Sequence, residues 1–357
     1  MVHRKNVQYL VRMAKQRITR SALTCITSLK AKRLIIFLTP GHDFRSGGIL
    51  SIGSLFQESA ALKDIHNATV ALCTVPGDPF LLKYTWFENR NYILDLESLL
   101  RCCRHLEYLQ LHIPEYTVNQ VLTWLTRVFP RLRRQVDDIH FNILLQNIDL
   151  VRGQNVRGLR QFGMVSCTTA HESYASSETR DALGIPVHRL GCYHGPELFS
   201  PLGYKDKLPL LVVSNDEHPL KQLILNKISK AHPQLQIQVI ENLSYESYKE
   251  LIRQAKWCLT FGEGLDSYFT EFVYSGGVSF AVFNSRFFTP AFSKLETVYP
   301  SWDVLRDKIC RDLSRLDEPI GYNRCWHEAF VLLGGLSGTE RFRENLRKFY
   351  RAEYTFP

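Results

Sequence analysis

Short apolar segments alternate with helix-like segments along most of this chain, and this alternation limits the fold more than any other feature. Residues 34–38 form an uninterrupted apolar run, a loop with three glycines follows, and an apolar helix pattern begins at Ile49. The same order of strand, loop and helix recurs as far as residue 283. Repeated strand–helix units predict parallel sheets covered by helices. The sequence therefore predicts an α/β fold.

A break in the alternation divides the chain into two parts. Residues 201–209 contain two prolines, one glycine and three charged residues, a composition typical of a linker. A chain of 357 residues is long enough for two domains. We therefore expect a first α/β domain at residues 34–200 and a second at residues 210–336. Residues 337–357 carry one further helix pattern.

The first 33 residues hold much of the positive charge. They contain nine Lys or Arg and no Asp or Glu, while the whole chain has a net charge of +9. The remainder is therefore neutral, which argues against nucleic acid as a partner. Residues 5–20 predict a basic amphipathic helix suited to an anionic membrane surface. The alternatives are a helix packed on its own domain and an organellar transit peptide. The predicted apolar face consists of Val7, Leu10, Val11, Ala14 and Ile18.

The cysteines and the apolar runs bear on the compartment. The nine cysteines form no Cys-x-x-Cys pair, which is typical of reduced thiols in the cytoplasm. No apolar run approaches the roughly 20 residues that cross a bilayer, and the N-terminus lacks the apolar region of a signal peptide. We expect a cytoplasmic protein, held peripherally on the inner face of the cytoplasmic membrane through residues 5–20.

A glycine-containing loop follows the first predicted strand. Residues 39–48 include Gly41, Gly47 and Gly48 and lead into a helix. Free backbone N–H groups at a helix N-terminus bind phosphate and other anions. The loop matches neither a dinucleotide fingerprint nor a P-loop, and a tight turn explains glycines equally well. We expect Gly47 and Gly48 to contact the ligand.

Residues 261–280 are the most informative stretch. Glu263 ends a strand, and Glu271 lies eight positions later, one turn into the next helix. The N-terminus of that helix offers backbone donors to a phosphate, and the two carboxylates accept hydrogen bonds from hydroxyl groups. This combination predicts a site for a nucleotide-sugar. The glycine of the intervening turn and three residues of the first helical turn are candidates for contact: Gly264, Tyr268, Phe269 and Thr270.

This stretch resembles the donor domain of GT-B glycosyltransferases, and specifically glycosyltransferase family 4, of the type that acts in bacterial polysaccharide biosynthesis. That family combines a strand, two Glu separated by seven residues, and a small-Gly-x-x-Val turn. Residues 193–199 and 213–221 resemble the family's domain junction and its phosphate-binding loop. The resemblance is specific over residues 190–285 and topological over the first 160. It implies two Rossmann-like domains that face a cleft, and a helix in 337–357 that packs back on the first domain.

The resemblance also implies residue roles. Glu271 would hold the ribose, Glu263 a hydroxyl of the donor sugar, and Lys221 the diphosphate. Two positions depart from the family pattern. The arginine that usually precedes the lysine is replaced near Asn215, and the first domain shows no clear counterpart of the family's histidine. Asn147, at the end of the strand predicted at 139–145, is the candidate for that edge instead.

The implied activity is transfer of a hexose or deoxyhexose from a nucleotide-diphosphate sugar to a glycan or lipid-linked glycan. The first domain would bind the acceptor and the second the donor, and Gly47 and Gly48 of the first domain would also contact the donor. The resemblance implies retention of configuration, no metal and no cofactor, and a role in cell-surface polysaccharide synthesis. Three alternatives stay open: a nucleotide-sugar epimerase, an inverting transferase, and a non-catalytic protein of the same fold that binds a nucleotide-sugar or glycan.

Overall fold

A computed structural model places the chain in two compact units. Unit 1 runs to Leu190 and includes Arg343–Pro357, and unit 2 is Gly191–Phe342. The structure describes residues 11, 13–15, 17–19, 31–43, 46–85, 91–191, 193, 195–336 and 338–357. The boundary at Leu190 precedes the predicted linker 201–209. The boundary falls earlier because residues 198, 199 and 202 already contact the rest of unit 2. Lys249, for example, donates to the Leu198 carbonyl at 3.1 Å.

Unit 1 contains a seven-stranded sheet in the order β3-β2-β1-β4-β5-β6-β7. Every pairing is parallel, as the alternation of strands and helices predicts. The order reverses between β1 and β4, which is therefore the switch point of this sheet. The strands are β1 (Arg33–Thr39), β2 (Thr69–Thr74), β3 (Leu94–Asp95), β4 (Leu106–Pro114), β5 (Val136–Leu145), β6 (Met164–Thr169) and β7 (Val187–Arg189).

The helix that follows Thr117 corrects a prediction. The sequence predicts that Pro130 ends the helix that begins after Thr117. The helix instead continues through Pro130 to Gln135, because its apolar side is buried on both sides of the proline, at Leu125 and Leu132. The helices are α1 (Gly47–Ala61), α2 (Lys63–His66), α3 (Leu96–Cys102), α4 (Val118–Gln135) and α5 (Ser177–Leu183).

Unit 2 contains a five-stranded parallel sheet in the order β12-β11-β10-β8-β9. Helices cover both faces, and two apolar clusters fill the spaces between helices and sheet. Its strands are β8 (Leu208–Val213), β9 (Gln236–Val239), β10 (Ala255–Leu259), β11 (Val278–Val282) and β12 (Val298–Tyr299). Its helices are α6 (Lys221–Ala231), α7 (Tyr245–Gln254), α8 (Ser267–Tyr274), α9 (Trp302–Leu316) and α10 (Pro319–Leu336).

The last helix, α11 (Thr339–Tyr350), brings the end of the chain to unit 1. Arg343 forms an ion pair with Glu58 at 2.7 Å, and Tyr350 donates to Ser59 at 2.7 Å. Phe356 forms a short antiparallel bridge with Val187 of β7. Residues from Arg343 onward therefore belong to unit 1, whereas Thr339–Phe342 belong to unit 2.

A polar layer crosses the sheet of unit 1 beneath the C-terminal segment. Asn142 is fully buried on β5 and donates to Thr168 at 2.9 Å, and its carbonyl oxygen accepts from Ser166 at 3.0 Å. Its amide nitrogen also lies 3.0 Å from His112 Nδ1. Because side chains alternate between the two faces of a strand, these groups share one face of three neighbouring strands.

Lys207 is a buried lysine in unit 2, and burial lowers its pKa to about 7. Its Nζ donates to the carbonyl oxygens of Arg253, Ala255 and Ser275 at 2.7, 3.0 and 3.0 Å. Arg253 and Ser275 lie at the C-terminal ends of α7 and α8, whose last carbonyls have no partner within the helix. The lysine therefore joins two helix ends to the start of β8.

The predicted helix at 5–20 lies only partly within the described residues. Those described between 11 and 19 are helical. Lys15 faces unit 1, where it pairs with Asp95 at 2.5 Å and lies 5.0 Å from the centroid of the Phe80 ring. Val11 and Ile18, of the predicted apolar face, are 57% and 36% exposed. None of the helices in the described part of the chain combines the length and apolar character needed to span a bilayer.

Candidate donor site

The carboxyl ends of β8 and β10 form the switch point of the unit 2 sheet. The two strands are neighbours, with β9 on one side and β11 on the other. Ligands of open parallel sheets bind at such points. The loops there are residues 214–220 and 260–266. These loops and the helix turns that follow them bring together seven of the predicted site residues: Asn215, Lys221, Glu263, Gly264, Tyr268, Phe269 and Thr270.

Lys221 begins α6 and is bound to the loop that precedes it. Its Nζ donates to the carbonyl oxygens of Ser214 and Asp216, each at 2.9 Å, and lies 5.8 Å from the centroid of the Phe261 ring. It is the only Lys or Arg in residues 214–221 and 260–267, which also hold four Asp or Glu. Lys221 therefore supplies the positive charge of these loops.

The N-terminus of α8 differs from the prediction. The sequence predicts that the N–H groups of Phe269 and Thr270 are open to a phosphate. Phe269 N–H instead donates to the Asp266 carboxylate at 2.9 Å, and Thr270 N–H donates to the Asp266 carbonyl at 3.0 Å. Asp266 also accepts from the Thr260 hydroxyl at 2.6 Å. An aspartate is a preferred helix cap, and burial raises the pKa of this one to about 6.

Glu271 is enclosed by tyrosines. Its carboxyl group is buried, with the residue 1% exposed, and Tyr245 donates to Oε1 at 3.3 Å. Burial raises the pKa of Glu271 to about 8, and hydrogen bonds from Tyr245 and Tyr248 lower it in part. At neutral pH the carboxyl group is therefore mostly protonated, so it can both donate to and accept from a hydroxyl. A ligand would reach the Glu271 carboxyl group if Tyr245 were displaced or if the Glu271 side chain changed rotamer.

The other predicted residues of unit 2 differ in accessibility. Asn215 is exposed, and Glu263 and Tyr268 are half-buried. The Phe269 side chain is fully buried and packs edge-on against Phe288, so it supports the site from the core. Gly264 has a φ of 91°, and a Cβ there would lie 2.9 Å from the Val282 carbonyl oxygen. The turn therefore requires glycine.

Three of the predicted residues lie in unit 1: Gly47, Gly48 and Asn147. The glycines and the asparagine are far apart in sequence, and Gln146 connects them. The Gln146 side chain donates to the Gly48 carbonyl at 3.1 Å, and a Cβ on Gly48 would meet its amide oxygen. Asn147 follows directly, and its side chain accepts from Asp149 N–H at 2.9 Å. The Gly48 N–H donates to Ser46, the cap of α1, at 3.2 Å. These three predicted residues therefore meet at the carboxyl edge of the unit 1 sheet.

The sequence patterns do not single out three further residues at these two sheet edges: Asp266, Glu115 and His171. Asp266 had a signal, since an aspartate three residues before a helical N–H predicts a cap. Glu115 directly follows β4 and His171 lies two residues after β6, and these two strands flank β5. Nothing local marks their relation to Asn147 at the end of β5, because it depends on the strand order. Among the described residues, no three His, Cys, Asp or Glu side chains are grouped so as to hold a metal ion.

Comparison with solved structures identifies the architecture. The lipopolysaccharide outer core galactosyltransferase WaaB superposes with a TM-score of 0.57 and 8% identity, over 90% of this chain and 99% of that one. Anabaena HepE in complex with UDP gives 0.54 and 9%, over 90% and 100%. The chain has a GT-B fold. UDP-GlcNAc 2-epimerase from Neisseria meningitidis, bound to UDP-GlcNAc, gives 0.50 and 10%, over 90% and 98%.

The GT-B prediction is thus confirmed at the level of the fold. No protein-family model matches the sequence, and no curated protein matches it. Identities of 8–10% to the structures above carry fold information and no residue roles. Membership of family 4, and the roles that the resemblance implies, belong to the proposal that follows.

Proposed function

We propose that this protein is a glycosyltransferase similar to family 4 that moves a hexose or deoxyhexose from a nucleotide-diphosphate sugar to a glycan or lipid-linked glycan. In this proposal transfer retains the anomeric configuration and requires no metal or cofactor. Unit 2 binds the donor and unit 1 the acceptor. The product is a cell-surface polysaccharide precursor, made on the cytoplasmic side of the membrane.

The observation that carries the proposal is the pair of carboxyl groups on α8 and its preceding loop. Glu263 and Glu271 flank the start of a helix at the switch point of a parallel sheet, where such sheets bind ligands. WaaB is described as a galactosyltransferase, and HepE was solved with UDP. In the proposal Glu271 holds the ribose, Glu263 a sugar hydroxyl, and Lys221 the diphosphate.

The Asp216 carboxylate opposes diphosphate binding in this proposal. Asp216 stands beside Lys221 in a loop where the family has an arginine, and its carboxylate lies so close to Gly262 that a Cβ there would be 2.7 Å from it. A negative group near the diphosphate weakens binding, because like charges repel. We therefore expect Lys221 to turn from its carbonyl partners toward the diphosphate when the donor binds.

A thermal-shift panel tests the donor site. We expect UDP-glucose, or one of the ADP-, GDP-, CMP- and dTDP-linked sugars, to stabilise the protein by about 2.7 kcal/mol at 100 times its dissociation constant. Glu271→Ala should lose most of that stabilisation, because it removes the carboxyl group that holds the ribose in this proposal. Glu241→Ala, at an exposed position of the same unit, is the matched control. Equal shifts in all three proteins would remove Glu271 from the site.

Product analysis separates the alternatives. The epimerase alternative is favoured by the likeness to UDP-GlcNAc 2-epimerase. An epimerase interconverts the sugar without an acceptor, whereas a transferase releases the nucleotide only as the glycan is extended. Proton NMR of the anomeric signal distinguishes these products and shows whether configuration is retained or inverted. Donor binding without either product supports the non-catalytic alternative, and activity that EDTA abolishes contradicts metal independence.

We further propose that residues 5–20 hold the protein on an anionic membrane. The supporting observation is that Lys15 faces unit 1 while Val11, Ala14 and Ile18 are exposed, so the part of the apolar face that the structure describes is not used for packing on the domain. The nine positive charges of residues 1–33 suit anionic lipid, at about 1 kcal/mol per Lys or Arg near the surface.

Vesicle sedimentation tests this proposal. We expect the protein to bind vesicles of mixed phosphatidylglycerol and phosphatidylcholine, to release in high salt, and to ignore pure phosphatidylcholine. Ile18→Glu should abolish binding, because it places a negative charge on the apolar face. Val331→Glu, at a site 56% exposed on α10, is the control and should bind normally. Binding of Ile18→Glu at the wild-type level would refute the membrane role of this helix.

A further inference from the structure

Glu115 lies at the switch point of unit 1. It directly follows β4, which neighbours β1 in the sheet, and it is 1% exposed. Asn147 N–H donates to Oε1 at 2.9 Å. The other oxygen, Oε2, is buried and has no hydrogen-bond partner among the residues that the structure describes. A buried carboxylate with an unpaired oxygen is unfavourable unless it is protonated or exposed.

Among the residues that the structure describes, no positive group offsets the burial of Glu115. Tyr116 and Cys167 interact with it electrostatically, and burial raises the pKa of both, so both are uncharged at neutral pH. His171 follows β6, and burial lowers its pKa to about 4, so it is neutral as well. The charged groups of the neighbouring loops have other partners: Asp78 accepts from Gly41 and Gln120, and Asp149 pairs with Arg152 at 3.4 Å.

The carboxyl group holds together three chain segments. It accepts from the Asn147 N–H after β5, and the neighbouring Gln146 side chain donates to the Gly48 carbonyl at the start of α1. A change at Glu115 is therefore transmitted to the turn at residues 146–147 and to the α1 N-terminus. These are the residues expected to contact a ligand at this edge.

We propose that Glu115 is a positioning residue that, when uncharged, holds the turn at residues 146–147 closed over the switch point of unit 1, and on ionisation releases it. Release exposes the Glu115 carboxylate and the Asn147 N–H, one acceptor and one donor for the hydroxyls of a glycan. This use by an acceptor glycan rests on the proposed function. The release of the turn when Glu115 ionises, which we call the latch, follows from the burial of Glu115 and from its hydrogen bond with the Asn147 N–H.

The direction of the pH dependence follows because opening of the turn is linked to the loss of a proton from Glu115. Burial raises the pKa of Glu115 to about 7, against 4.5 for the group in water. The open turn binds its proton less tightly than the closed turn, so opening becomes more favourable as pH rises from 4.5 to 7 and changes little above. Between pH 5.5 and 8.0 these two values give an increase of about 25-fold in the opening equilibrium.

Hydrogen exchange measured by mass spectrometry tests the latch without any substrate. Peptides covering residues 144–150 are followed at pH 5.5 and 8.0, with rates corrected for intrinsic exchange. Wild type should open about 25-fold more at pH 8.0. Glu115→Gln, which imitates the uncharged acid, should show no such increase. Glu107→Gln, at a partly exposed carboxyl group on β4 that pairs with Lys32, should behave as wild type.

Two results would overturn the latch. One is a wild-type opening equilibrium that is the same at both pH values, which needs no variant to fold. The other is a Glu115→Gln protein with the wild-type pH dependence. If transfer activity is found, the acceptor KM should fall as pH rises toward 7 in wild type, level off above 7, and stay constant in Glu115→Gln, while donor binding is equal. A failure of donor binding would contradict the proposed function and leave the exchange result intact.

Discussion

Acidification from pH 6.5 to 4 is expected to lower the free energy of unfolding of unit 1 by about 3 kcal/mol through His140 alone. Burial lowers the pKa of His140 from 6.5 to about 4. Each pKa unit corresponds to about 1.4 kcal/mol. The unfolded chain therefore binds more protons than the native unit between these pH values, so stability falls as pH falls and levels off below pH 4.

The packing around His140 explains why its charged form is excluded. Its Nε2 lies 2.8 Å from the Ser166 hydroxyl, and its Nδ1 lies 3.1 Å from the Tyr108 hydroxyl. Phe349 of α11 covers the ring at 6.2 Å between centroids. None of these groups is charged near neutral pH. His112, in the same layer, has its pKa lowered well below 6.5 by burial, so it adds to the loss.

Urea unfolding at pH 6.5 and 4.0, monitored by hydrogen exchange of peptides from β5, measures this effect. His140→Gln should flatten the acid dependence, because glutamine does not titrate. His105→Gln is the control, since His105 is exposed and pairs with Asp137 on the surface. An unchanged acid dependence in His140→Gln would assign the destabilisation to other groups.

Replacement of Lys207 by methionine is expected to lower the free energy of unfolding of unit 2 by about 3–5 kcal/mol. Methionine preserves much of the apolar stem but leaves the carbonyls of Arg253, Ala255 and Ser275 without the donor they share. An unsatisfied buried acceptor costs about 1–3 kcal/mol. The loss is large because one side chain serves three acceptors at two helix ends.

Thermal and urea unfolding of Lys207→Met, with Lys205→Met as the matched variant, test this expectation. Lys205 lies two residues earlier and is exposed, so its loss should change stability by less than about 0.5 kcal/mol. Lys207→Arg should restore only part of the stability, because a planar guanidinium does not fit three carbonyls arranged around one nitrogen. Equal stability of Lys207→Met and Lys205→Met would show that water replaces the ammonium group.

The architecture was largely predictable from the sequence. The apolar run at residues 34–38 is the centre of β1, and the helix predicted at 267–275 is α8 within one residue. Such agreement follows from local chemistry, since strand and helix periodicities are written in neighbouring residues. Where a local rule failed, a tertiary contact opposed it. Pro130 did not end α4, because burial of the apolar side of the helix outweighed one missing hydrogen bond.

The candidate site was predictable only in part. The spacing of Glu263 and Glu271 and the glycine turn between them indicate a ligand-binding helix start, and the structure places that start at the switch point. Asp266 stands where a helix cap is expected, but the loss of the Phe269 N–H as a phosphate donor was not predicted from it, and nothing local indicates that Tyr245 encloses Glu271. Both outcomes depend on which of several nearby side chains forms the hydrogen bond.

Residue order therefore determined the strands, the helices and the parallel pairing, because each depends on contacts between near neighbours or on short connections. The tertiary structure determined the charge and accessibility of the carboxyl groups. Glu107 and Glu115 stand on or beside the same strand, yet one is exposed beside Lys32 and the other is buried beneath a turn that arrives from β5. Burial and distant partners set a pKa, and only the folded chain brings them together.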